Sequence, residues 1–124
     1  MHDSGPGLDA LLVGVGVIDL DPIRGTEAKK TRPAVIVSND GANGTATRLG
    51  RGVLTVVPVT SNVEHIYPFQ VLLPAESTGL PIDSKAQAEQ VRSLDVVRVQ
   101  RRVGSVPAEL MHELDAALRL HLAL

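Results

Sequence analysis

Asp19–Asn39 reads DLDPIRGTEAKKTRPAVIVSN, a polar, basic loop set between two apolar runs and closing on Arg32-Pro33. Within the loop Arg24, Lys29, Lys30 and Arg32 stand against one acid, Glu27. It offers positive charge and forked donors to an anion, held in place by the strand expected to follow. On an otherwise slightly acidic chain, this is the first place to look for a phosphate-binding site.

Outward from that stretch, the pattern is one of short strands. Leu11–Leu20 reads as a first strand, with Gly14 and Gly16 marking a bulge or a close approach. Residues 1–10, broken by Gly5, Pro6 and Gly7, read as a flexible N-terminal arm. Ala34–Ser38 is a short apolar strand, and Asn39–Gly52 a long loop or a loop with a helical turn. Val53–Thr60 (VLTVVPVT) is the clearest strand, its Pro58 suggesting an edge position or a bulge. Tyr67–Leu73 follows, then the turn-rich AESTGLP, then Asp83–Val91, which alternates in part. One or two further short strands are expected in 92–106.

Pro107–Leu122 carries the only strong helical pattern, with Ser105 as a candidate N-cap and Glu109 near the positive helix end. Leu110, Leu114, Ala117, Leu118 and His121 recur at helical spacing and should face a sheet. Many short strands before one terminal helix imply a small, strongly bent sheet or barrel closed by that helix, in a single domain spanning 11–124.

Composition narrows the function classes. The chain has 124 residues, a formal charge of -2, and 44% apolar but only 2% aromatic residues, so its core must be aliphatic. With no cysteine, disulfides, thiolate catalysis and Cys-based zinc sites are excluded. The near-neutral charge excludes a protein that coats nucleic acid by bulk electrostatics but leaves room for a local basic groove. No stretch approaches the roughly 18 apolar residues of a membrane span. The N-terminal apolar run is preceded by acids where a signal peptide has bases. A soluble cytoplasmic protein is expected.

Three blocks in order, DLDPIRGTEAKKTRPAVIVSND, VLTVVPVTSN and GLPIDSKAQAEQVRSLD, followed by a matching terminal helix, resemble the MazF/PemK family of toxin endoribonucleases. The resemblance implies mainly β structure with helices: the SH3-like β-barrel of PemK and CcdB toxins, closed by a C-terminal α-helix and assembled as a homodimer. It implies metal-independent, sequence-specific cleavage of single-stranded RNA that leaves a 2′,3′-cyclic phosphate and a 5′-hydroxyl. No cofactor is implied. The implied partner is a cognate antitoxin whose C-terminal segment lies over the RNA groove.

By the same resemblance the catalytic residues are Arg32 and Thr60. The RNA-binding positions are Gly25, Thr26, Glu27, Lys29, Lys30, Ser61, Asp83, Ser84, Lys85, Gln87, Glu89, Gln90 and Arg92. The first strand departs from the family pattern: Leu12–Gly16 reads LVGVG, with neither the usual charged pair nor an aromatic.

The chemistry is consistent with those residue types. Cleavage through the RNA's own 2′-hydroxyl needs a proton removed, phosphorane charge stabilised and a proton returned to the 5′-oxygen. A guanidinium fork matches two phosphate oxygens but keeps its proton at ordinary pH, so Arg32 is assigned chiefly to charge stabilisation. Thr60 can donate to a phosphate oxygen or hold the 2′-hydroxyl in line.

The histidines form no pair. His112 and His121 lie nine positions apart on opposite helix faces, and His65 is the one near the motif. No His, Asp or Glu grouping has metal-site spacing. With Tyr67 and Phe69 as the only aromatics of the Phe, Trp and Tyr class, stacking platforms are scarce. Arg48, Arg51, Arg98, Arg101 and Arg102 either extend a phosphate track or are surface charge.

Two other classes remain: a CcdB-like poison of a protein target such as DNA gyrase, and a non-cleaving SH3-like binding module. The chain ends in HLAL without a terminal aromatic, which argues against the first; Arg32 and Thr60 together argue against the second.

Overall fold

The computed structural model describes residues 16–20, 32–38, 49 and 51–124. The loop positions Gly25, Thr26, Glu27, Lys29 and Lys30, the arm at 1–10 and the atypical Leu12–Val15 lie outside the described residues. Seven strands are present: β1 (Gly16–Leu20), β2 (Arg32–Ile36), β3 (Val53–Thr60), β4 (Gln70–Leu73), β5 (Ser84–Gln87), β6 (Arg92–Asp95) and β7 (Val99–Ser105). Two α-helices, α1 (Ala75–Thr78) and α2 (Ala108–Leu122), and 3₁₀ turns at Ala88–Gln90 and Val96–Arg98 complete the described fold.

The sheet is antiparallel, in the order β4-β5-β3-β2-β1-β7, with β6 pairing to β3 off that path. Among the described strands no ladder joins β4 to β7, so the sheet is not closed into a barrel.

Both faces of the central strands are buried, which is why PAVIV and VLTVVPV read as nearly continuous apolar runs rather than as a half-exposed alternation. Val17, Val35, Val57, Val59, Val71 and Ala86 point to one side, where Leu114 and Ala117 of α2 cover them. Ile18, Ala34, Ile36, Leu54 and Val56 point to the other, under Leu94 and Val96. Fully burying one such side chain contributes about 1.5–3 kcal/mol, so the two clusters hold the sheet from both sides.

β3 is no edge strand, against the expectation raised by Pro58. One of its edges pairs with β2. Its other edge is divided between β6, along Val53–Val56, and β5, along Val59–Thr60. Pro58 falls in the gap between those two ladders, so its missing N–H removes no bond from that edge.

Gly16 does mark a close approach. A Cβ there would lie 3.0 Å from Arg102 Nε and 3.4 Å from the Gly104 carbonyl. The β1–β7 ladder slips after Val17 and again after Asp19, two irregularities that bend β7 across the sheet.

The terminal helix starts later than its sequence suggests. Ser105 is still paired with Gly16 in the β7–β1 ladder, so the N-cap is Pro107, in extended backbone and without a side-chain cap bond. Glu109 in the first turn and Arg119 and His121 in the last complement the helix dipole. The apolar stripe runs through Leu110, Met111, Leu114, Ala117 and Leu118. His121 is exposed and not part of it.

Candidate RNA-cleavage site

The β2–β3 ladder pairs Ala34 with Pro58, and β3–β5 pairs Thr60 with Lys85. Continued by two residues, the first register brings Arg32 opposite Thr60. Residues directly opposite in an antiparallel pair share a face about 4.5–5.5 Å apart, so Arg32, Thr60 and Lys85 occupy three adjacent strands on one side of the sheet. β6 pairs with only the first half of β3, along Val53–Val56, and its Leu94 packs beside Leu54 on that side. Beyond Pro58 the residues on that side are polar, with Thr60 half-buried and Lys85 buried.

A groove of about 240 Å³ lies at this end of the sheet. Arg32, Thr60, Ser61 and Ser84 give it polar walls, and Pro33, Val59, Leu80, Pro81 and Ile82 apolar ones. Arg32 is exposed and Thr60 half-buried. The Thr60 hydroxyl oxygen accepts from the Asn62 N–H at 3.2 Å, which leaves its own proton to donate. Ser84 is buried, and its hydroxyl donates to the Ile82 carbonyl at 2.9 Å, bending the chain so that Ile82 stands out as a lip, 58% exposed. The Leu80–Ile82 wall was not anticipated; its only trace in the sequence is the turn-rich GLP.

The remaining expected RNA-binding residues divide. The exposed Asp83 accepts from the Ala75 N–H at 2.8 Å, closing the first turn of α1. Lys85 is buried to 7% exposure, and its ammonium donates to the His65 carbonyl at 2.6 Å. Gln87 faces Gln70 across the β4–β5 ladder. Gln70, buried and not anticipated, donates from Nε2 to Glu89 Oε2 at 2.7 Å and accepts from the Tyr67 N–H at 3.1 Å. The second Glu89 oxygen is buried without a partner. Gln90 and Arg92 are exposed on the 3₁₀ turn and on β6.

Of the arginines proposed to extend a phosphate track, Arg101 is tied by Nε to the buried Asp19 carboxylate at 2.8 Å. Arg102 reaches the Gly104 carbonyl at 3.2 Å.

A larger hollow, about 420 Å³, flanks the start of α2 between Val106, Ala108, Met111, His112 and Asp115. It gathers one His and one Asp but no basic group, so it is the poorer match to a phosphate. Among the described residues no group of three or more His, Asp or Glu side chains is arranged to hold a metal ion. None of their helices is long and apolar enough to cross a membrane.

Residues 14–122 match the family model for the PemK-like, MazF-like toxin of type II toxin–antitoxin systems. The endoribonuclease MazF9 of Mycobacterium tuberculosis is 64% identical over 107 residues, covering 86% of this chain and 91% of the relative. The endoribonuclease MazF6 of the same species is 39% identical over 102 residues, covering 82% and 86%. The MazE–MazF structure (Form-II) from Deinococcus radiodurans superposes with a TM-score of 0.68 at 27% identity, covering 98% of this chain and 99% of the other.

Proposed function

The chain belongs to the PemK-like, MazF-like toxins of type II toxin–antitoxin systems, and on that premise we propose that it is a cytoplasmic, metal-independent endoribonuclease. Its substrate is single-stranded RNA, mRNA foremost, cut at a short sequence. The observation that carries this reading is one groove with a guanidinium and a threonine hydroxyl on its walls.

Arg32 grips the scissile phosphate through its fork and meets the charge that develops as the 2′-hydroxyl gives its proton to water and its oxygen adds to phosphorus. Thr60 donates to a phosphate oxygen and holds the 2′-hydroxyl in line. The P–O5′ bond then breaks. The 5′-oxygen takes that proton back through water while Arg32 keeps its own, and the products are a 2′,3′-cyclic phosphate and a 5′-hydroxyl. The apolar lip of Leu80, Pro81 and Ile82 keeps water from one side of the phosphate, which strengthens both hydrogen bonds.

Two further elements complete the proposal. The active species is a homodimer of domains spanning 11–124, whose curled sheet is an SH3-like barrel left open between β4 and β7. A cognate antitoxin restrains it by laying its C-terminal segment over the groove. MazE–MazF complexes among the structural neighbours support that partnership. A CcdB-like poison of a protein target would have no use for a phosphate-sized groove that joins Arg32 to Thr60.

The test is cleavage of a long single-stranded RNA in EDTA by wild type, Arg32→Ala and Thr60→Ala, with the product ends mapped. Discrete cuts bearing cyclic-phosphate ends, lost in both variants, are the expected result. No cutting by folded wild-type protein would overturn it.

A further inference from the structure

Resting on the ribonuclease reading above, we infer that the loop from Ser61 to Phe69 is a preformed base-stacking wall of the RNA groove. His65 is the ring that receives a base next to the phosphate held by Arg32 and Thr60.

The chain has one Tyr, one Phe and no Trp, and both aromatics fall in this loop. Tyr67 and Phe69 stack in parallel, ring centroids 5.4 Å apart at 1°, and His65 packs on Tyr67 at 4.1 Å and 57°. The ladder runs outward from the half-buried Phe69 through Tyr67, 46% exposed, to the exposed His65. An aromatic placed for core packing would be buried to gain its hydrophobic free energy. His65 and Tyr67 instead turn area to solvent, in the loop that leaves β3 directly after Thr60.

The loop is tied down at both ends and in the middle. At its start the Asn62 N–H donates to Thr60 Oγ1, and the Glu64 N–H to Asn62 Oδ1. In the middle Lys85, the cross-strand neighbour of Thr60, donates its ammonium to the His65 carbonyl. The same ammonium lies 5.9 Å from the Tyr67 ring centroid. At its end the Gln70 amide links the Tyr67 N–H to Glu89.

Lys85 is the cross-strand neighbour of Thr60, so its bond to the His65 carbonyl ties the loop back to the strand beside Thr60. A wall held this way gives up little conformational entropy when a base stacks on it. Lys85 and Glu89 are thereby positioning residues for the loop rather than direct readers of RNA.

The test measures binding of a fluorescein-labelled pool of short random-sequence single-stranded RNA carrying 2′-fluoro in place of each 2′-hydroxyl, which cannot be cut. Stacking on one ring is lost in His65→Ala, so its Kd should rise about 5- to 150-fold. The thermal midpoint and the slope of log K on log salt should stay at their wild-type values, because neither core nor phosphate contact has changed. His65→Phe should restore binding, which a hydrogen-bonding or proton-transfer role would not allow.

Tight binding by His65→Ala alongside weak binding by Arg32→Ala would overturn the stacking wall and leave the ribonuclease reading intact. So would equal weakness of His65→Ala and His65→Phe, or a loss confined to antitoxin binding. A wild-type protein that does not bind the pool at all would bring down the ribonuclease reading itself.

Discussion

Replacing Thr60 by valine isolates one hydroxyl. Valine keeps the β-branched shape and strand preference of threonine, and the ladder bonds of Thr60 to Lys85 involve only backbone. In the free protein the substitution removes one acceptor, used by the Asn62 N–H at 3.2 Å in an exposed setting. Water can replace that acceptor, so the stability change should stay below about 1 kcal/mol. In the transition state it removes a preorganised donor to phosphate, worth ~2.7–4 kcal/mol or roughly 100- to 1000-fold in rate.

The loss should therefore appear in kcat, with KM little changed, since phosphate gripping in the ground state falls mainly to Arg32. Single-turnover cleavage of a mapped RNA in EDTA reads the rate, and urea unfolding reads the stability. Arg32→Lys provides the companion measurement: it keeps the charge and loses the fork, and it should raise KM and lower kcat together. A Thr60→Val enzyme within about threefold of wild type, less than 1 kcal/mol of barrier, would refute the role given to the hydroxyl.

Leu114→Ala should lower unfolding free energy by about 2–5 kcal/mol in urea titrations, because this side chain is fully buried beneath the sheet. Gly104→Ala would press a Cβ against the Thr78 carbonyl oxygen and should cost about 1–3 kcal/mol in thermal melts. Gly16→Ala, whose nearest obstacle is the Arg102 side chain, should cost less in the same melts. Lys85→Met conserves volume and removes a buried charge with one carbonyl partner, so urea unfolding should show little loss of stability, and even a gain. Hydrogen exchange should nevertheless show faster opening of the Ser61–Phe69 amides, accompanied by a higher KM.

Local signals were legible in the sequence, and long-range ones were not. Val53–Thr60 has the same bounds by pattern and by structure because its neighbours on both edges reinforce its own propensity. β2 begins at Arg32 rather than Ala34, since β1 pairs with Pro33 and Arg32 as well. α1 hides in a turn-rich stretch because its first N–H is satisfied by Asp83, eight residues away. Asp83 enters as an RNA-binding position through the family resemblance, and no local pattern ties it to α1.

The same limit governs the site. Arg32 and Thr60 were found through a pattern of ordered blocks. The anchors of the adjacent loop, by contrast, join His65 to Lys85 across 20 residues and Gln70 to Glu89 across 19. No periodicity encodes such pairs; the family resemblance makes Lys85 and Glu89 RNA-binding positions and does not mark Gln70.

The division of β3 explains why a site forms where it does. Along the half of β3 that pairs with β6, Leu54 and Val56 pack with Leu94 and Val96. The 3₁₀ turn at Ala88–Gln90 carries the chain from β5 to β6, and that packing ends with the β6 ladder. Pro58 occupies the vacated step. Beyond it the sheet keeps one buried face, through Val59 and Ala86 on the α2 side, which supplies the rigidity. Its other face, through Thr60 and its neighbours, is released to face a ligand. Arg32 sits at the entry of its strand for the same reason: the backbone there is still held by β1, while the side chain has passed the edge of the core. In the reading proposed, Arg32 and Thr60 stand at strand ends fixed by a core they do not belong to, and that pre-organisation is what the proposed chemistry needs.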